Sequence, residues 1–226
     1  MNNEIAFPLQ PLSAPESWLE LKPVLTREQW LDTGLRDMSG KAYMDRCERI
    51  RDIGFSTHSA ELIDELVAYI GGRRVFEVGA GTGHLARVLF ERGVSICAVD
   101  NQKGYCTQPD WWTKERLYFD VLKMDPTQFP ELPGEIVLMV WPCYNTDFAE
   151  RIARLLKPGQ ILLYCGESKG GCTGDDGFFD HLDAAFEELP LPDALYQSHI
   201  DFYGLHEHWW AYTPKIRRIE NGQLGA

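Results

Sequence analysis

Positive charge is what this chain has least of. Lys and Arg number 22 against 34 Asp and Glu, a formal net charge of −12. Binding to a nucleic-acid backbone depends on cations that displace its counterions, so nucleic acid is not expected as a partner. Arg46, Arg49, Arg51, Arg73 and Arg74, with Arg217 and Arg218 near the C-terminus, read as solvated surface rather than a groove. Long apolar runs are missing as well. No stretch reaches the ~20 residues needed to span a bilayer, and the polar, proline-containing N-terminus does not have the form of a signal peptide. A cytoplasmic protein with no membrane partner is expected. The 6 cysteines, Cys47, Cys97, Cys106, Cys143, Cys165 and Cys172, include no C-x-x-C pair, so neither a disulfide framework nor a metal site is expected. Cys97 and Cys165 fall within strands as small core residues, and Cys143 and Cys172 in loops.

What is present is an ordinary globular balance, 44% apolar and 25% charged over 226 residues, enough for one α/β domain with decorations. The division expected is 1–58, an N-terminal arm and helical cap, and 59–226, the main domain. Pro8, Pro11, Pro15 and Pro23 favour an extended arm. Phe7, Leu9, Leu12 and Trp18 are costly to expose, so the arm should pack on the body or on a second copy of the chain. Thr26 to Gln29 spells a capping box opening a short helix. A charged helix from Asp37 to Arg51 ends at Gly54; Tyr43, Met44, Phe55 and His58 around it could line a pocket, though each suits a surface or core-edge place better. Ser59 caps a firmer helix carrying Leu62, Ile63, Leu66, Val67 and Ile70, which stops at Gly71-Gly72.

The centre of the chain is Arg74 to Gly83, R-V-F-E-V-G-A-G-T-G. Val75, Phe76 and Val78 suit a strand buried on both faces. Gly79, Gly81 and Gly83 then permit positive φ and let a ligand lie against the backbone. A helix follows with His84, Leu85, Val88 and Leu89 on its apolar face and Gly93 at its end, so the turn delivers a helix N-terminus to the ligand. The dinucleotide fingerprint G-x-G-x-x-G would need its third glycine at position 84, which is His84.

Glu77 two residues before the first glycine makes the pattern E-x-G-x-G-x-G, which resembles motif I of the class I S-adenosylmethionine-dependent methyltransferases. The resemblance implies S-adenosylmethionine as cofactor, with Glu77 holding its ammonium and Gly79, Ala80, Gly81 and Gly83 close to the sulfonium and ribose. Val94 to Val99 reads as the next parallel strand, ending in Asp100, which matches the family's ribose-binding acid, with Asn101 beside it. After an insertion holding Trp111 and Trp112, a third strand is expected over Leu117 to Leu122. Asp125 follows, resembling the acid that meets the adenine amino group, and Asp120 is its rival.

Glu135 to Trp141 reads as the central fourth strand. Trp141-Pro142-Cys143-Tyr144 resembles motif IV of amino-group methyltransferases, with Trp141 in place of the polar acceptor and Cys143 in place of the second proline. Pro142 could polarise an amine through its carbonyl, and Tyr144 could stack on a substrate. Ile161 to Cys165, the fifth strand, runs into a glycine-rich acidic loop. There Glu167, Asp175 and Asp176 could bind an amine or serve as general base, while Thr173 or Asp175 caps the next helix with Phe178, Phe179, Leu182 and Phe186. From residue 59 onward the chain resembles methyltransferase-like proteins with W-P-P-Y after strand four and G-G-C-T-G-D-D after strand five. Leu195 to Phe202 and Glu207 to Tyr212 read as a closing hairpin around Tyr203 to His206, with His206 at the pocket rim or on a surface turn.

The fold expected is a Rossmann-like, seven-stranded, mostly parallel sheet with helices on both faces and an antiparallel C-terminal hairpin. The activity implied is S-adenosylmethionine-dependent methyl transfer to a small-molecule or protein acceptor, with Trp141, Pro142, Tyr144, Glu167 and Asp175 as catalytic candidates and Trp141 also near the cofactor. Two alternatives stand beside it: a nucleic-acid amino methyltransferase, and a noncatalytic module that uses the fold for binding.

Overall fold

Residues 15–38, 40–102 and 117–216 are described by the computed structural model. Phe7, Leu9 and Leu12 of the arm, Cys106, Trp111 and Trp112 of the insertion, and Arg217 and Arg218 lie outside the described residues. The elements in chain order are α1 (Arg27–Asp32), α2 (Gly40–Asp52), α3 (Ala60–Ile70), β1 (Val75–Val78), α4 (His84–Glu91), β2 (Ile96–Asp100), β3 (Val121–Lys123) and β4 (Ile136–Val140). They continue with α5 (Phe148–Leu155), β5 (Ile161–Gly166), α6 (Asp176–Ala185), β6 (Phe186–Leu189), α7 (Asp193–Ser198) and β7 (His208–Pro214).

The strands form one 7-stranded sheet in the order β3-β2-β1-β4-β5-β7-β6. The first five of that order are parallel, and β7 is antiparallel to both β5 and β6. The chain therefore builds outward from β1 to β3, then returns to lay β4 on the other side of β1. That reversal opens a crevice at the carboxyl ends of β1 and β4.

Alternate side chains of each strand enter opposite layers. Val75, Ile96, Leu138, Leu163 and Trp209 pack with Leu62, Ile63, Leu66, Leu85 and Leu89 of α3 and α4. Phe76, Cys97, Val99, Val137 and Met139 pack with Ile152 of α5 and with Phe178 and Leu182 of α6. Both faces are covered, which is why the parallel strands read as continuous apolar runs.

The segment before α3 is built into this body. Trp18 is buried, its ring 5.2 Å from that of Phe119 and 6.2 Å from that of Phe90. The Arg87 guanidinium lies 4.1 Å from the Trp18 ring centroid, and the indole N–H donates to Asp120 Oδ1 at 3.0 Å. Thr26 and Gln29 form the expected capping box, and Ser59 and Gly71 cap α3 as its sequence implies.

Two boundaries differ from the sequence reading. Residues 117–120 do not extend the third strand, because Tyr118 and Phe119 are drawn under the start of α4: Tyr118 stacks edge-on to His84, and its amide donates to Thr82 O at 3.0 Å. The strand is only Val121–Lys123. The closing hairpin pairs β7 with Phe186–Leu189, and Leu195 lies in α7. Pro192 takes the N-cap of α7, Asp193 follows in its first turn, and Leu195 is fully buried. The helix buries its apolar residue against α3 rather than presenting an alternating strand.

Candidate functional site

The crevice holds a cleft of about 720 Å³, open solvent at its mouth included. It is lined by residues from the glycine turn (Glu77 to Gly81), the start of α4 (His84, Leu85), Asp100 of β2, the end of β4 and its loop (Val140 to Pro142), the α2–α3 connector (Ile53 to Ser56, His58) and Phe148. No Lys or Arg is among these lining residues.

At its base, neighbouring parallel strands end in acids. Glu77 and Asp100 are 3% and 4% exposed. Burial, with Asp100 beside it, pushes the Glu77 carboxyl up to about 8. Its Oε2 has no hydrogen-bond partner. Asp100 is pushed up to about 6 by burial, against two amide donors that favour its charge: Gln102 N to Oδ1 at 2.7 Å and Gly81 N to Oδ2 at 3.1 Å. A pair of acids so poorly compensated is a receptor for positive charge and for hydroxyl donors.

The turn itself needs its glycines for different reasons. Gly79, Gly81 and Gly83 all have positive φ, +69°, +55° and +74°. A Cβ on Gly83 would sit 2.7 Å from Val121 Cγ2 and 2.9 Å from Phe119 Cβ, so this glycine serves the packing of α4 on the third strand. Gly83 also occupies the N-cap of α4 and does not line the cleft. The turn is bonded to the second strand by Ala80 N to Val99 O at 3.1 Å and by the Gly81–Asp100 bond.

At the end of β4, Trp141 has φ +53°, a conformation that costs a side-chain-bearing residue ~1–2 kcal/mol. Three contacts hold it: its amide donates to Cys165 O at 2.8 Å, its ring stacks on Phe55 at 5.5 Å and 11°, and its indole N–H donates to Glu207 Oε2. The Pro142 carbonyl accepts Gly174 N at 3.0 Å, and Cys143 forms a bridge with Thr173, so the loops after β4 and β5 are joined. His58 and His84 also line the cleft, each with a buried Nδ1 that has no partner. Burial and the Arg49 charge push both down, His84 to about 4, so both are neutral near pH 7.

Of the residues singled out by sequence, the cleft gathers Glu77, Gly79, Ala80, Gly81, Asp100, Trp141 and Pro142. Asn101, Asp125, Tyr144, Glu167 and Asp175 are not in its lining. Asp125 caps a short turn, accepting from Thr127 N at 3.0 Å, and Asp120 is bonded to Trp18. Tyr144 is 54% exposed. Both Glu167 oxygens accept backbone amides, from Cys172 at 2.6 Å and His206 at 3.1 Å, and Asp175 caps α6 through Phe178 N at 3.0 Å. His206 is exposed and outside the cleft. Of Tyr43, Met44, Phe55 and His58, the cleft takes Phe55 and His58, while Tyr43 and Met44 are exposed; His84 and Phe148 are lining residues that no motif marked. Glu207, which holds Trp141, carried no signal in sequence beyond its place as the first residue of the expected closing strand, and it stands just before β7.

No protein-family model and no curated protein matches the chain. Among solved structures it is similar to the Burkholderia thailandensis 1,6-didemethyltoxoflavin-N1-methyltransferase with bound 1,6-didemethyltoxoflavin and S-adenosylhomocysteine, at 16% identity over 86% of this chain and 93% of that one, TM-score 0.45. It is similar to the magnesium protoporphyrin IX methyltransferase from Synechocystis PCC 6803 with bound SAM at 13% identity over 86% and 100%, TM-score 0.44. A third is the N-methyltransferase NodS from Bradyrhizobium japonicum WM9, at 12% identity over 67% and 92%, TM-score 0.46. The Rossmann-like description of the fold rests on the strand order of the chain itself.

Proposed function

We propose that this chain is an S-adenosylmethionine-dependent methyltransferase acting on a small-molecule or protein acceptor. The observation that carries the reading is the pair Glu77 and Asp100, buried at the ends of adjacent strands beside a glycine turn, with Glu77 Oε2 left without a partner. An orphaned buried carboxylate oxygen is costly, and a ligand cation removes that cost. Glu77 would take the ammonium of the cofactor and Asp100 its ribose hydroxyls, with Gly79 to Gly81 allowing close approach. When bound, S-adenosylmethionine supplies a methyl group on a positively charged sulfur, which is a good leaving group.

The chain's own task is then mainly to align an acceptor and exclude water. Phe55, Trp141, Pro142 and Phe148 give the cleft an apolar wall. Neutral His58 and His84 offer hydrogen-bonding nitrogen without repelling a cation. Among the described lining residues two buried acids stand without any Lys or Arg, which favours an uncharged or cationic acceptor over a phosphate-bearing one. The nucleic-acid alternative draws less support, since Tyr144, the stacking candidate, is outside the cleft.

Calorimetry with S-adenosylmethionine, S-adenosylhomocysteine and NAD tests the cofactor. The first two should bind and NAD should not, and Asp100→Ala should weaken binding about 10- to 100-fold, as loss of a charged hydrogen bond does. Binding of NAD alone, or unchanged affinity in Asp100→Ala, refutes the assignment. Methyl-labelled cofactor incubated with cell extract should then label a metabolite or a protein. Label confined to nucleic acid overturns the acceptor class, and no turnover on any acceptor leaves the noncatalytic reading.

A further inference from the structure

The acid that organises the aromatic wall of the cleft does not itself line it. Glu207 stands immediately before β7 with none of its surface exposed. One oxygen accepts the Trp141 indole N–H and the other accepts the Thr57 amide at 3.5 Å. Trp141 belongs to the loop after β4 and Thr57 to the connector between α2 and α3, the segments that contribute Trp141 and Pro142, and Ile53 to Ser56 and His58, to the lining. The same connector is held from α2 by Arg49, which donates to Ser56 O through Nε and Nη2 at 3.2 and 2.9 Å. The Phe55–Trp141 stack closes the arrangement.

We infer that Glu207 is the positioning residue of this cleft, a single buried carboxylate that sets the Trp141 ring and the 55–57 segment relative to each other and so fixes the shape of the ligand site. Remove it, and the positive-φ tryptophan loses the hydrogen bond of its indole N–H while a buried amide loses its acceptor. The inference rests on the cleft being the cofactor site proposed above.

Several titratable, charged and polar groups face Glu207. His199, after α7, places Nε2 3.9 Å from Oε1. Asp201 acts on it from the same segment, Arg49 from α2, Ser56 from the connector and Cys165 from β5. Burial pushes the Glu207 carboxyl up to about 7 despite the Trp141 and Thr57 bonds. Its ionisation therefore falls at neutral pH, where the indole it bonds can report it.

The test uses the full chain and four proteins: the parent, Trp141→Phe, Glu207→Gln and the double variant. Subtracting the emission of Trp141→Phe from that of the parent isolates the Trp141 signal. That signal should step across neutral pH, and the step should vanish in the Glu207→Gln background. S-adenosylhomocysteine should bind each single variant about 10-fold more weakly, and the double no more weakly than either, because the two residues act as one unit. A Trp141 signal flat through neutral pH, or losses that multiply in the double variant, overturns the inference. If Glu207→Gln does not fold, the parent and Trp141→Phe pH series decides alone. Failure of the parent to bind S-adenosylhomocysteine refutes the proposed cofactor instead, and the emission step still judges Glu207.

Discussion

Gly83 shows how a residue chosen by a motif can serve a neighbour rather than a ligand. The third glycine of E-x-G-x-G-x-G was expected beside the cofactor, yet a Cβ there meets Val121 and Phe119. Gly83→Ala adds overpacking to a positive-φ penalty and should cost roughly 2–4 kcal/mol in urea denaturation. Gly159→Ala, with φ +93° and nothing within 4 Å of its Cβ, should cost only about 1–2 kcal/mol. Equal losses would mean that packing plays no part at Gly83. Glu77 and Asp100 were legible because strand-end acids beside a glycine turn form a local pattern. Phe55 and His58 were readable only as pocket candidates that suited a surface or core-edge place better, and Glu207 was not readable, because its surroundings come from segments that meet only in the folded sheet.

At the scale of elements, α3 shows a local rule reinforced from a distance. Ser59 Oγ accepts the Leu62 amide at 3.0 Å and donates to Ser198 O at the end of α7, at 2.7 Å. One hydroxyl thus caps one helix and ties it to the end of another. Ser59→Ala should cost about 1–2 kcal/mol by thermal or chemical melting, more than Thr26→Ala, whose capping box is exposed on a short helix. The N-cap was readable from the sequence, but the bond to Ser198 was not. The hairpin was misplaced for a related reason. The apolar spacing of Leu195 to Phe202 fits either period, and Pro192, Asp193 and the contact with α3 make its first part, up to Ser198, helical. Meanwhile Phe186, read as the last apolar residue of a helix, begins the edge strand.

For the whole molecule, the buried acids set a pH dependence whose direction can be worked out. Glu77 and Glu207 have folded values raised to about 8 and about 7 from 4.5, so their stabilising contribution is full below 4.5 and is lost as pH rises through the folded values. His58, His84 and His199 are lowered from 6.5, so their contribution is present above 6.5 and is lost as pH falls below it. Between pH 6.5 and 8.5 the acids outweigh what remains of the histidine titration. The ligand-free protein should lose about 1–3 kcal/mol between pH 6.5 and 8.5. Thermal melts should show a falling Tm, with a shallower slope in Glu77→Gln and a Tm at pH 8.5 above that of the parent. S-adenosylhomocysteine should oppose the fall. A Tm that rises across this window would contradict the assigned burial of these carboxylates.

The bridge between Cys143 and Thr173 and the bond from Gly174 to the Pro142 carbonyl have a consequence for redesign. The loops after β4 and β5 are far apart in sequence but behave as one replaceable part. Grafting a new specificity onto this scaffold through residues 141–145 alone would strand the carbonyl of Pro142 and the amide of Gly174. The smallest transplantable module is the two loops together, exchanged as a matched pair.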